Sequence, residues 1–234
     1  MKVALLLADH VPQYRYSVSG GNYPDMFANL FLKINEVIDM DVFDITVNEY
    51  PINPDIYQGF IISGSRASAY EKVDWIEDLK SYIRKLKHDG FKIIGICFGH
   101  QVIAQALGGE VRRATQKGLG AGIKTIKMLK KLPFMHPYEE YLSLLFYHYD
   151  QVTILPINAE VLARNEFCEV QMYHINMQIL GIQAHPEMLR SHNHLLIKES
   201  LISDSNLTID TLRMRDHSML VAMWIIQFLG DYKS

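Results

Sequence analysis

The chain has 234 residues, 49% of them apolar and 21% charged, and a formal net charge of −3. That balance excludes disordered and collagen-like chains, and it lacks the basic excess expected of a nucleic-acid binder. The length is enough for a core that buries roughly 70% of the unfolded surface.

The two cysteines, Cys97 and Cys168, are too few for a disulfide framework and suit a reducing cytoplasm. The apolar run 3–8 is too short for a signal peptide and has no small-residue cleavage site after it. The run 219–229 falls short of the ~20 residues that cross a bilayer, so no membrane span is expected.

Val3 to Leu7 reads as a strand buried on both faces, the pattern of a parallel sheet. Met26, Phe27, Leu30, Phe31 and Ile34 recur at helical spacing. Residues 41–47 alternate as a second strand, and 57–62 form a third that ends at Ser63-Gly64-Ser65. Asp74 is placed to cap a helix through Ile76, Leu79, Ile83 and Leu86, and Gly90 stops it. Residues 91–96 are a fourth strand, followed at once by a helix through Val102, Ile103 and Ala106 to Gly108-Gly109. Strands are expected at 123–128, 152–155, 161–163, 170–173 and 179–183. Residues 219–229 read as a buried terminal helix, or else as one that faces a partner. The order predicts an α/β fold, a mostly parallel open sheet flanked by helices, in a single domain spanning 1–234.

Gly95-Ile96-Cys97-Phe98-Gly99 follows a strand and opens a helix. This is the G-x-nucleophile-x-G pattern of a nucleophile elbow, with cysteine as the nucleophile. A tight strand-to-helix turn presents Cys97 at the carboxyl edge of the sheet, where a helix N-terminus favours an anion such as a thiolate. Taken alone, the pattern is equally consistent with a buried structural cysteine.

A cysteine nucleophile needs a base, usually histidine. His185 ends another apolar strand, and Glu187 lies two residues on, on the same face of an extended chain. The carboxylate can then orient the imidazole. An oxyanion hole could draw on a backbone N–H of the Ser63-Gly64-Ser65 loop and on that of Phe98.

Other polar residues read as structural. His192 and His194 fit a solvated surface loop better than a metal site, and no metal or organic cofactor is expected. Cys168 reads as half-buried packing, and Lys127, Lys130 and Lys131 as solvated. Arg66 is open to two readings, a substrate carboxylate partner or a surface salt bridge.

Together these pieces resemble the class I glutamine amidotransferase family. Its Gly-Ile/Val-Cys-x-Gly-x-Gln segment is matched by residues 95–101, its Leu-Gly-Gly by 107–109, and its Gly-x-Gln-x-His-Pro-Glu strand by 181–187. The resemblance implies a flavodoxin-like fold and a Cys97 thioester formed on a γ-glutamyl carbonyl. His185 would move the proton and Glu187 would orient it. Gly64 or Ser65, with Phe98, would supply the oxyanion N–H groups. It further implies substrate contacts from Gln101 and from the chain near Tyr147 and His148, with glutamine or a γ-glutamyl small molecule as substrate.

No GxxxxGK[ST] phosphate loop follows Glu187. The Ser63–Ser68 loop and the Gly118–Gly122 run look like the stand-alone branch, similar to the amidotransferase half of guanosine monophosphate synthase and to γ-glutamyl peptidases. The alternatives are an ammonia-supplying glutaminase subunit gated by a separate synthase chain, and a non-catalytic regulatory homologue.

Overall fold

The computed structural model describes residues 1–114, 118–200 and 213–230. Strand β1 (Lys2–Leu7) is buried on both faces, as its unbroken apolar run requires. After it come α1 (Tyr16–Ser19), α2 (Tyr23–Leu32), β2 (Asp39–Asp44) and β3 (Gly59–Ile62). The chain continues through α3 (Asp74–His88), β4 (Ile93–Ile96) and α4 (Phe98–Ala106). Then follow β5 (Glu110–Arg113), β6 (Gly120–Met128), β7 (Tyr141–His148), β8 (Asp150–Ile154), β9 (Ala159–Arg164), β10 (Met172–Ile175) and β11 (Ile179–Ile182). Helices α5 (Arg190–Ser200) and α6 (Ser218–Leu229) complete the described elements.

The main sheet has nine strands in the order β2-β1-β3-β4-β11-β10-β9-β6-β7. The first five pair in parallel, and the remaining ladders are antiparallel. Strands β5 and β8 form a separate antiparallel pair. Alternate residues of β1 serve opposite cores: Val3 and Leu5 pack with Phe27 and Phe31 of α2 and Trp224 of α6, while Ala4 and Leu6 pack with α3 and α4. Helices thus cover both faces of the parallel half. The loops that follow β1, β3, β4 and β11 all leave the sheet at its carboxyl edge, which is where open α/β sheets bind ligands.

Three local expectations change. Strand β2 stops at Asp44, whose Oδ1 accepts the Thr46 N–H at 3.0 Å and turns 45–47 into a short 3-10 helix. Asp74 is the first helical residue of α3, after Val73 at the N-cap, so it complements the helix dipole without capping. Strands β5 and β7 were not anticipated. In β7, Leu142, Leu144 and Phe146 enter one core and Leu145 another, so burial on both sides erases the alternation that marks a half-buried strand.

Candidate active site

Cys97 sits between β4 and α4 with φ +50° and ψ −99°, a conformation that a residue with a Cβ rarely adopts. Its N–H donates to the Ile182 carbonyl at 2.8 Å and its carbonyl accepts the Gln101 N–H at 3.1 Å. The flanking glycines make the turn possible. A Cβ on Gly95 would lie 2.4 Å from the Gly99 carbonyl carbon, and one on Gly99 would lie 2.4 Å from the Ile62 carbonyl oxygen. Cys97 is only 5% exposed and lines a cavity of about 350 Å³. The Phe98 N–H is the first of α4, where N–H groups have no partner within the helix.

His185 faces Cys97 from the end of β11. Its backbone N–H donates to the Leu145 carbonyl at 2.8 Å, which fixes the residue beside β7. Its Nδ1 lies 2.8 Å from Glu187 Oε1, and the ring is close enough to the Cys97 side chain for the sulfur to favour its charged form. Burial opposes a charge on this ring, but the Cys97 sulfur and the Glu187 carboxylate outweigh it and hold the His185 pKa well above the ordinary histidine value. Glu187 is buried, and its Oε2 has no partner among the described residues. Cys97, His185 and Glu187, chosen from the sequence for their chemistry, are therefore brought together, with a hydrogen bond joining His185 to Glu187.

Gln183 belongs to the same cluster. Its Nε2 donates to Cys97 Sγ at 3.4 Å, and its Oε1 accepts from Gln101 Nε2 at 3.1 Å. Gln101 also donates to the Asp150 carbonyl at 2.9 Å. The sequence reading did not assign Gln183 a contact, although it is the glutamine of the Gly-x-Gln-x-His-Pro-Glu strand two residues before His185.

Gln101, Tyr147 and His148 all line the cavity. The Tyr147 hydroxyl bonds the Ser200 hydroxyl at 2.6 Å. His148 Nδ1 donates to the Asp150 carbonyl at 3.0 Å, and burial pushes the His148 pKa down to about 4.

The loop after β3 is tied down at both ends. Ser63 Oγ accepts the Ala8 N–H at 2.9 Å and donates to the Gly64 carbonyl at 3.0 Å. Ser68 Oγ donates to Asp150 Oδ2 at 2.6 Å. Between them, Arg66 N–H and Nε donate to Asp9 Oδ2 at 2.9 and 2.8 Å, and a terminal nitrogen donates to Oδ1 at 2.8 Å. Arg66 is thus paired within the protein, which is the salt-bridge reading. Burial opposes the Asp9 charge, but the Arg66 bonds outweigh it and keep the carboxyl below its ordinary pKa. Ser65 lines the cavity, and a Cβ on Gly64 would lie 2.8 Å from His185 Cε1. Gly64 therefore packs against the imidazole itself.

Three residues differ from expectation. His192 lies on α5, not in a solvated loop; it is buried, lines the cavity, and burial with the nearby His185 and Arg15 pushes its pKa to about 4. His194, on the same helix, is half-buried. Cys168 is fully buried rather than half-buried, with Sγ 3.5 Å from the Val170 carbonyl. Among the described residues, no group of three or more His, Cys, Asp or Glu could hold a metal ion, and no helix is long and apolar enough to cross a membrane.

The model of the family "Glutamine amidotransferase class-I" matches residues 25–203. Gamma-glutamyl peptidase 4 of Arabidopsis thaliana is 38% identical over 196 residues, which cover 81% of this chain and 76% of that protein. Gamma-glutamyl peptidase 3 of the same plant is 34% identical over 194 residues, covering 80% and 76%. A glutamine amidotransferase of Thermotoga maritima superposes with a TM-score of 0.76 at 21% identity, over 97% of this chain and 98% of that one, a likeness of fold. With the family model covering most of its length, the chain belongs to the class-I glutamine amidotransferase family.

Proposed function

We propose that the protein hydrolyses a γ-glutamyl amide through a thioester on Cys97. The Cys97 thiolate attacks the γ-carbonyl carbon, and the carbon–sulfur bond forms while charge gathers on the carbonyl oxygen. The N–H groups of Phe98 and of Gly64 or Ser65 receive that oxygen. As the carbon–nitrogen bond breaks, His185 gives its proton to the departing amine. A water then adds to the thioester and gives its proton to His185. Glutamate leaves, and the thiolate–imidazolium pair returns. Glu187 keeps the imidazole oriented and favours its charged form. Gln101, Tyr147 and His148 hold the glutamyl group against the wall of the cavity.

The observation that carries this reading is that Cys97 and His185 line one cavity, with His185 hydrogen-bonded to the buried Glu187 and its pKa raised by the Cys97 sulfur. The loop that would supply the second oxyanion N–H is held by Asp9, Asp150 and the end of β1. The similarity to γ-glutamyl peptidases supports a peptide-like substrate.

The test is glutamate release by the purified chain alone from glutamine and, in parallel, from γ-glutamylglycine. Release from the dipeptide is expected, with none from the Cys97→Ala protein. Unchanged release after Cys97→Ala overturns the mechanism. Silence with both substrates, while a glutamine-like electrophile still alkylates Cys97, would identify instead a glutaminase subunit that waits for a synthase chain.

A further inference from the structure

The cavity carries polar groups that the chemistry at Cys97 does not use. Arg15, just before α1, and Met188, His192 and Leu196, on and beside α5, contribute to its lining. This wall is held in place: Arg15 donates to Glu199 Oε2 at 2.6 Å, and Asn193 Nδ2 donates to the Phe146 carbonyl at 3.0 Å.

His192 is 4% exposed, and its Nδ1 is sealed in the protein without a partner. The other ring nitrogen is not among the sealed, unpartnered atoms of the described residues, and the residue lines the cavity. A sealed nitrogen with no acceptor is better left unprotonated, which puts the proton on Nε2 as a donor. With a pKa near 4, the ring is neutral at pH 7. Arg15 is a permanent cation with five donors; among the described residues its guanidinium makes one hydrogen bond, to Glu199, and its Nε is buried unpaired. A cation and a neutral N–H donor that line one cavity together with the apolar side chains of Met188 and Leu196 suit an anion with two acceptor oxygens on a small apolar carbon.

We propose that Arg15 and His192 form a leaving-group subsite that binds the free carboxylate of an amino acid whose amine is joined to the γ-glutamyl group. The subsite rests on the reading of the cavity as a γ-glutamyl hydrolase site. It selects γ-glutamyl peptides over glutamine, whose leaving ammonia has no carboxylate to offer.

Binding separates this claim from the chemistry. In the full-length Cys97→Ala protein, calorimetric titration with γ-glutamylglycine and with γ-glutamylglycinamide compares the carboxylate with its neutral amide. The acid is expected to bind about tenfold tighter, the scale of a hydrogen bond to a charged group. Arg15→Gln and His192→Leu in that background should erase the preference. His192→Gln, which keeps an N–H donor, should retain part of it, as a merely misfolded variant would not. Equal affinity for acid and amide, binding of neither, or an equal loss of both in Arg15→Gln overturns the subsite. An intact acid preference in a wild-type protein that hydrolyses neither compound would overturn the hydrolase reading and leave the subsite standing.

Discussion

Cys97 combines a positive φ with a side chain that must stay in place, and that conflict can be measured. A non-glycine residue in such a conformation costs on the order of 1–3 kcal/mol. Cys97→Ala keeps the strain and loses one sulfur atom, so its stability should stay within about 1 kcal/mol of wild type while turnover disappears. Cys97→Gly should be equally inactive but about 1 kcal/mol more stable than Cys97→Ala, because glycine adopts the conformation freely. Equal melting temperatures for the two variants would show that the elbow is not strained.

The histidines make a second prediction. His100, His148 and His192 have pKa values pushed down to about 3, 4 and 4, in each case chiefly by burial. Between pH 6.5 and 4 the unfolded chain binds protons that the folded chain refuses, so these residues lower stability as the pH falls. His185, raised above its ordinary value, acts in the opposite sense: its contribution is fully present below about pH 6.5 and is lost as the pH rises through its folded value. Thermal melts should therefore fall from pH 6.5 to 4.5, and the fall should be shallower in His192→Gln. An identical slope in that variant would remove His192 from the account.

At the scale of elements, the elbow depends on how closely α4 approaches β4 and β3. Gly95→Ala would push a methyl group into the backbone of Gly99, and neither segment has a flexible end to yield. A loss of about 3 kcal/mol is expected in denaturant melts. The loop after β3 depends on a different contact. Asp9→Asn removes the charge that receives three Arg66 donors, and should lower kcat for a γ-glutamyl dipeptide more than tenfold while shifting the melting temperature little. A rise in KM alone would mean that the loop only binds substrate.

The residues of the elbow and of the His-Pro-Glu strand were legible because strand termini, small residues and nucleophile occur together in a short stretch. The contacts of Asp9, Gln183 and His192 were not. Asp9 meets Arg66 across 57 positions of sequence. His192 belongs to a helix whose sequence, Arg-Ser-His-Asn-His-Leu-Leu-Ile-Lys-Glu-Ser, has few apolar positions to mark an amphipathic period.

At the scale of the molecule, the nine-stranded sheet brings four loops to one edge by running β1, β3, β4 and β11 in parallel. Helix α6 closes the opposite core with Trp224, which is fully buried and donates its Nε1–H to the Pro137 carbonyl at 2.9 Å. Trp224→Ala should cost about 3–5 kcal/mol in equilibrium unfolding. A cost under 1 kcal/mol would make α6 peripheral, as a partner-facing helix would be. The antiparallel half of the sheet was the least legible region, because β7 is buried on both sides and its apolar run carries no period.

The sequence by itself determined the alternating α/β plan, the elbow at Cys97 and the His185–Glu187 spacing, because each is a local consequence of residue type and chain period. Only the tertiary structure decided that Gly64 packs on the imidazole, that Asp9 clamps Arg66, and that Arg15 and His192 line the same cavity as Cys97. Those pairings join residues tens of positions apart. Strand order and helix packing, rather than any local pattern, set the distance between them.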